Sequence, residues 1–381
     1  MPSYLSLSTA TIGVASAVLG FTYARNVQLR QAAYVAISPS PLETKITTLS
    51  ASEISDLAYP PNALPGARTV STPYGNCRVY EFGPEDGPKV LLVHGISIPS
   101  VGLVDLAKKL VEKGCRVMLF DLYGRGFSDT PIGVVHSSHL YMTQILSVLA
   151  SSTLPWTGVN AFSLIGYSMG GALAVNFAAT FPLPVKSLVL IAPAGLIRGH
   201  RISMMRRFMS IAESILPSSL LRRLIRSSTE KQKPITRTTE VQPEMVEQKT
   251  PSESNGQEAL LRVFHAMKWQ VDNNQGFPSA LIGSMKYAPL SGQHQSWAQI
   301  RKRLEAVGED DHGLVGRKVA VLLGEDDVQI VREDTEPDIK EALGEQNVKM
   351  VLFKVGHELP ISMSDEVAAE IWKFWQEIGI A

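Results

Sequence analysis

Four short apolar runs constrain what this chain can fold into more than any other feature. "KVLLVHG" starts at Lys89, "RVMLFD" at Arg116, "AFSLIGY" at Ala161 and "KSLVLIAP" at Lys186. Each is continuously apolar rather than alternating, so both faces of each strand must be covered. The first three are followed by helical patterns over Val101–Lys113, Ser137–Ala150 and Met169–Thr180. Strands alternating with amphipathic helices build a mostly parallel sheet with helices on both faces, an α/β architecture. The rhythm stops after Pro193 and returns with "KVAVLLG" at Lys318, a helix over Glu333–Leu343, "KMVLFKVG" at Lys349 and a last helix over Ser364–Ile378. One sheet is thus interrupted by one insertion, after its sixth strand. Upstream, "TVSTPYGNCRVYEFG" alternates around a Tyr-Gly-Asn turn and reads as a hairpin.

This pattern divides the 381 residues as follows. Residues 69–195 and 288–381 form the core, and 196–287 form a helical cap over it. Within the cap, Ile202–Ser227 is amphipathic, with Met204, Met205 and Met209 on its apolar side. Residues 228–257 are rich in Glu, Lys, Thr and Pro and read as disordered. Residues 25–68, rich in Ser, Pro and Ala towards their end, read as a linker. Residues 4–23 carry no charge and are long enough to span a bilayer. Arg25 and Arg30 follow them, which favours a membrane anchor with the rest of the chain facing the cytosol. The alternative is a cleaved signal or targeting segment, with "ASA" at 15–17 as its cleavage site.

Composition excludes several function classes. Lys plus Arg and Asp plus Glu both number 36, and no basic stripe interleaves with aromatics, so no nucleic-acid partner is expected. Cys77 and Cys115 form no metal-binding pattern and read as small buried hydrophobes. No Asn-x-Ser/Thr acceptor site occurs.

The chemistry concentrates at "GYSMGG", where Ser168 lies between Gly166 and Gly170. G-x-S-x-G alone is weak evidence, since a glycine-rich strand-to-helix turn would contain it too. Here it follows a strand and opens a helix, as a strained nucleophile turn requires. A serine hydroxyl needs a base, and the base needs an acid to orient it. Of eight histidines, His357 follows a strand directly, in "VGHELP". Asp326 and Asp327 follow another, in "VLLGEDDVQI". The order serine, acid, histidine is the one this kind of sheet uses.

On "LLVHGIS", "DLYGRGFSD", "GYSMGG", "GEDD" and "GHELP", in that order from Thr69 to Ala381, the chain resembles the serine hydrolases of the α/β-hydrolase fold. The resemblance implies a triad of Ser168, Asp327 and His357, with Asp327 preferred over Asp326. It implies an oxyanion hole from the backbone amides of Ile96 and Met169. His94 is expected to shape the oxyanion loop rather than react, and Asp121, Arg125 and Ser128 to hold loops together. "HGISIPS" lacks the proline-then-glycine form common in close relatives. Relatives that open epoxides or remove halides carry aspartate at the nucleophile position, so Ser168 favours acyl transfer to water: esters, thioesters or lactones. No metal or organic cofactor is implied.

Phe208, Phe264, Trp269, Phe277 and Tyr287 offer the cap apolar surface, which predicts a hydrophobic small molecule or lipid as substrate. Three other readings stand beside this one. The same triad could hydrolyse a carbon–carbon bond or transfer an acyl group to an alcohol, or the chain could be a non-catalytic binding protein of hydrolase shape.

Overall fold

The computed structural model describes residues 35–202, 218–231, 251–306 and 313–381. Among these, eight strands form one sheet: β1 Arg68–Thr72, β2 Gly75–Phe82, β3 Lys89–Val93, β4 Arg116–Phe120, β5 Phe162–Tyr167, β6 Val185–Ile191, β7 Val319–Gly324 and β8 Val348–Phe353. Their spatial order is β1-β2-β4-β3-β5-β6-β7-β8. The expected hairpin is the antiparallel pair β1–β2, with Thr72 opposite Gly75. β2 runs antiparallel to β4, and from β4 to β8 every pair is parallel. Every residue of β3, β5 and β7 is buried, as continuous apolar runs require.

The helices of the core are α1 Val104–Glu112, α2 Ser138–Ala150, α3 Met169–Thr180, α7 His294–Glu305, α8 Arg332–Leu343 and α9 Ser364–Glu377. α1 packs on α9, while α2 and α7 both pack on α3 and α8 on α7. Cys77 and Cys115 are buried free thiols. Three further helices, α4 Ser218–Lys231, α5 Pro251–Asn273 and α6 Phe277–Tyr287, enter between β6 and β7. β6 is the sixth strand of the sheet, so the insertion falls where the sequence places it. α4 packs on α5 and α6, and α5 lies against the short helix Leu359–Ser362 that follows His357.

Two domain expectations change. The stretch 228–257 is helical at both ends, because α4 continues through Lys231 and α5 begins at Pro251. Its middle, 232–250, lies outside the described residues. At Gly256 a side chain would meet the Ser362 carbonyl at 2.3 Å, so this part of α5 is seated on the core. The linker expected over 25–68 is a docked arm from residue 35 onward. Ala36–Ser38 pairs antiparallel with Thr130–Ile132. The Ser40 amide donates to Asp129 Oδ1 at 2.8 Å, and the Tyr59 hydroxyl donates to Asp121 Oδ1 at 3.0 Å. Both carboxylates lie at the ends of "DLYGRGFSD". Periodicity cannot report such an arm, because one three-residue strand and single hydrogen-bonded side chains hold it rather than a repeating apolar face.

The uncharged segment 4–23, residues 203–217 with Met204, Met205, Phe208 and Met209, and His312 lie outside the described residues. Among the described residues no helix is long and apolar enough to cross a membrane.

Candidate active site

β5 ends in a turn so tight that glycine is required on either side of it. A side chain at Gly166 would meet the Gly170 carbonyl oxygen at 2.3 Å, and one at Gly170 would meet the Val93 oxygen at 2.1 Å. Between them Ser168 adopts φ 56°, ψ −120°, a conformation that L residues rarely occupy. Its backbone amide donates to the Ile191 carbonyl at 2.9 Å, and its carbonyl accepts from Gly171 and Ala194 at 2.9 and 3.0 Å. These bonds hold the strained residue in place. The turn delivers Ser168 to the N-terminus of α3, where the helix dipole favours developing negative charge.

His357 Nε2 lies 2.9 Å from Ser168 Oγ, and His357 Nδ1 lies 2.7 Å from Asp327 Oδ2. The other oxygen, Asp327 Oδ1, accepts from the Gln329 and Ile330 amides, both at 2.8 Å. The carboxylate is therefore fully engaged, with two amides on one oxygen and the imidazole on the other. Asp327 is buried and Asp326 is exposed, so geometry separates two adjacent residues that composition cannot. Tyr167, beside the nucleophile, donates its hydroxyl to the His357 carbonyl at 2.8 Å and lies against the imidazole with ring centroids 5.2 Å apart. Burial pushes the Tyr167 phenol up, as do the Asp327 and Glu358 carboxylates, so it stays a donor.

The end of β3 runs beside this chain of bonds. A side chain at Gly95 would reach within 3.3 Å of Ser168 Cβ. Among the described residues, nothing accepts a hydrogen bond from the Ile96 or Met169 amide. Both sit next to the serine turn with a donor to spare.

His94 does not join the triad. Its Nε2 lies 2.9 Å from the Leu122 amide, which can only donate. Nε2 therefore accepts, and the proton on Nδ1 goes to the Gly95 carbonyl at 2.8 Å. A trans peptide points its N–H opposite its C=O, so this bond also orients the Ile96 amide. Burial pushes His94 down to about 3, against the raising effect of the Gly95 bond and with help from Arg125.

Arg125 is wholly buried. It donates to the Ile96 and Tyr123 carbonyls and to the Tyr141 hydroxyl at 2.9, 2.9 and 2.7 Å. Asp121 accepts from the Ser100 and Phe127 amides at 2.8 and 2.9 Å, and the Ser128 hydroxyl donates to the Asp121 carbonyl at 2.6 Å. All three residues hold loops together, and none of these bonds leaves a charge facing the serine.

His136 is the second buried imidazole, 2.9 Å from the Tyr141 hydroxyl and pushed down to about 3 by burial and by Arg125. Both histidines are neutral when folded and take up a proton in the unfolded chain below about pH 6.5. The unfolded state then binds more protons, so stability falls as pH drops from about 6.5 toward 3, by up to ~1.4 kcal/mol per pH unit for each histidine. Asp121 and Asp129, raised by burial, oppose this at the acid end, because the folded form holds their protons more tightly. Urea midpoints measured at pH 7, 6 and 5 are expected to fall in that order, and less steeply in His136→Gln. Equal midpoints at all three would contradict the neutral assignment.

Sheet order, nucleophile turn and the bonded serine, histidine and aspartate define an α/β-hydrolase. The model of the family described as serine aminopeptidase, S33, matches residues 85–282, more than half of the chain. The chain belongs to that family. A serine hydrolase-like protein from Danio rerio is 33% identical over 124 residues, 32% of this chain and 36% of its own. Monoglyceride lipase from Homo sapiens is 32% identical over 138 residues, 36% of this chain and 45% of its own. The chain thus spans less than half the length of these two relatives. An esterase from Thermogutta terrifontis shares the fold at 16% identity, with a TM-score of 0.57 over 82% of this chain and 98% of its own.

Proposed function

We propose that the protein is a serine hydrolase that cleaves a carboxylic ester, thioester or lactone of a hydrophobic small molecule or lipid. The observation that carries this is the unbroken path Ser168 Oγ, His357 Nε2, His357 Nδ1, Asp327 Oδ2 at 2.9 and 2.7 Å. Oγ attacks the acyl carbon while Nε2 takes its proton. The carbonyl oxygen becomes an oxyanion that receives the Ile96 and Met169 amides. Collapse expels the alcohol, which takes the proton back from Nε2 and leaves an acyl-enzyme on Ser168. Water, deprotonated by the same nitrogen, then releases the acid.

The cap residues gathered at Ile96 support an apolar substrate. Val271, Phe277 and Leu281 form a buried cluster, against which Ile96 and Ile225 pack. Of the other aromatic candidates, Trp269 packs on Phe127 with centroids 5.8 Å apart, Phe264 lies beside His265, and Tyr287 is half exposed. Attachment to a membrane through residues 4–23, with the catalytic part on the cytosolic side, belongs to the same reading. It rests on the length and lack of charge of that segment and, for the side, on Arg25 and Arg30 after it.

The test is a panel of aryl esters of increasing acyl length with matched thioesters and lactones, alongside labelling by a fluorophosphonate. Labelling of Ser168 and a preference for medium or long acyl chains are expected. Turnover of a diketone, of an acyl transfer to alcohol, or of an amino-acid anilide, without ester hydrolysis, redirects the reading to those chemistries. No labelling and no turnover would leave a hydrolase-shaped binding protein.

A further inference from the structure

Three consecutive carbonyls just past β3 each accept a hydrogen bond from a side chain. Gly95 accepts from His94 Nδ1 at 2.8 Å, Ile96 from Arg125 Nε at 2.9 Å and Ser97 from Gln270 Nε2 at 3.0 Å. The first donor is local and the second comes from the loop after β4. The third comes from α5, in the cap.

Gln270 is almost fully buried, at 1% exposure. Its Oε1 accepts from the Gly126 amide at 2.7 Å while its Nε2 serves Ser97. Turning the side-chain amide over would oppose two donors at Gly126 and two acceptors at Ser97, so the network decides its orientation. One cap side chain thus bridges two core loops. Arg125 is tied to the cap as well, donating to Ser284 Oγ at 2.8 Å and to the Ala280 carbonyl at 3.3 Å. Two of the three bonds on this tripeptide therefore depend on the cap being seated.

We propose that Gln270 is a positioning residue for the oxyanion hole. It fixes the Ser97–Ile98 peptide plane while Arg125 fixes the Ile96–Ser97 plane and His94 the Gly95–Ile96 plane. The planes held by His94 and Arg125 flank Ile96, and the plane held by Gln270 closes the far side of Ser97. With three successive planes held, the dihedrals of Ile96 and Ser97 cannot trade rotations against each other, and the Ile96 N–H keeps its aim at the carbonyl oxygen of a bound ester. A donor contributes to catalysis only when it is pre-aimed, because rotating it during the reaction costs what the hydrogen bond returns. Gln270 acts through the loop and touches no reacting atom. The hole is complete only with the cap docked, so the cap helix sets the rate as well as covering the substrate. This inference rests on the Ile96 amide being an oxyanion donor.

The test compares Gln270→Met and Gln270→Glu in the full chain, using one short aryl ester and the thionoester in which sulfur replaces its carbonyl oxygen. Sulfur accepts hydrogen bonds weakly, so the thionoester draws little from the hole. Ionised glutamate keeps an acceptor for the Gly126 amide and loses the donor to Ser97, while its protonated form would restore that donor, so the rates are compared across pH; methionine loses both at every pH. For the oxygen ester, kcat is expected to fall ~10–50-fold in both variants with KM within ~threefold, a fraction of what losing a whole donor costs. The thionoester rate is expected to change little, so the ratio of the two rates collapses. If both substrates slow together, Gln270 is merely structural and the proposal is overturned. It is equally overturned if Gln270→Met keeps full ester activity, or if Gln270→Glu keeps it at every pH up to about 9, since the donor to Ser97 would then be dispensable. Should Gln270→Met not fold, Gln270→Glu carries the test. If the unaltered chain cleaves no ester, or Ser168→Ala still does, the triad itself is misassigned. That result is distinct from an intact triad with an unchanged substrate ratio.

Discussion

Ser168→Ala is expected to lower kcat for a short aryl ester by ~10⁵–10⁶-fold, with the chain still folded. The size follows from what the residue does. Without Oγ there is no acyl-enzyme, and His357 Nε2, 2.9 Å from that oxygen, has no proton to take. The oxyanion donors remain, so a small acceleration over water survives. Folding should tolerate the change well, because the strain at this position belongs to the backbone. The bonds that hold it, to Ile191, Gly171 and Ala194, use the Ser168 amide and carbonyl, not its hydroxyl. Alanine keeps all three. The measurements are steady-state hydrolysis, loss of fluorophosphonate labelling and an unchanged thermal midpoint. Turnover within ~tenfold of the unaltered chain would remove Ser168 from the mechanism, since even one lost oxyanion donor costs more.

Asp327→Asn is expected to cost ~10⁴-fold in kcat, more than its near-isosteric shape suggests. The amide oxygen can still accept from Gln329 and Ile330, as Oδ1 does now at 2.8 Å from each. That anchoring turns the new NH₂ group toward His357 Nδ1, 2.7 Å away. Two donors cannot share that contact, so the imidazole must put its proton on Nε2 instead. Nε2 then faces Ser168 as a donor and cannot serve as its base. The loss is one of tautomer, not of structure, and KM should hardly move. Asp326→Asn is the control: that side chain is exposed, and activity within ~twofold is expected, as for ordinary surface changes. A large loss in Asp326→Asn with none in Asp327→Asn would reverse the assignment of the acid.

The sheet, its crossover helices, the insertion after the sixth strand and the placing of Ser168 and His357 at strand ends were legible in the sequence. Each of those signals is local. A continuous apolar run must be a strand covered on both faces, and a residue directly after such a strand emerges at its carboxyl edge. Ser168 after β5 and His357 after β8 therefore share an edge wherever the intervening residues go. The glycines at 166 and 170 were legible for the same reason, since the turn they permit lies within a few residues.

The rest depends on contacts between distant positions. Asp326 and Asp327 are equivalent by composition, and the second is set apart by the Gln329 and Ile330 amides and the imidazole that close around it. The arm from residue 35 looked like a linker because Tyr59 and Ser40 are held singly, by Asp121 and Asp129, with no periodic face to announce it. Nothing in the sequence sets Gln270 apart from other polar residues. It is buried because α5 lies across the loop after β3, where its one side chain reaches Ser97 and Gly126 together. A hydrogen bond across 173 residues leaves no pattern in either stretch of chain. Local periodicity reports which face of an element is apolar, while the partners of a buried polar group are known only once the elements are packed.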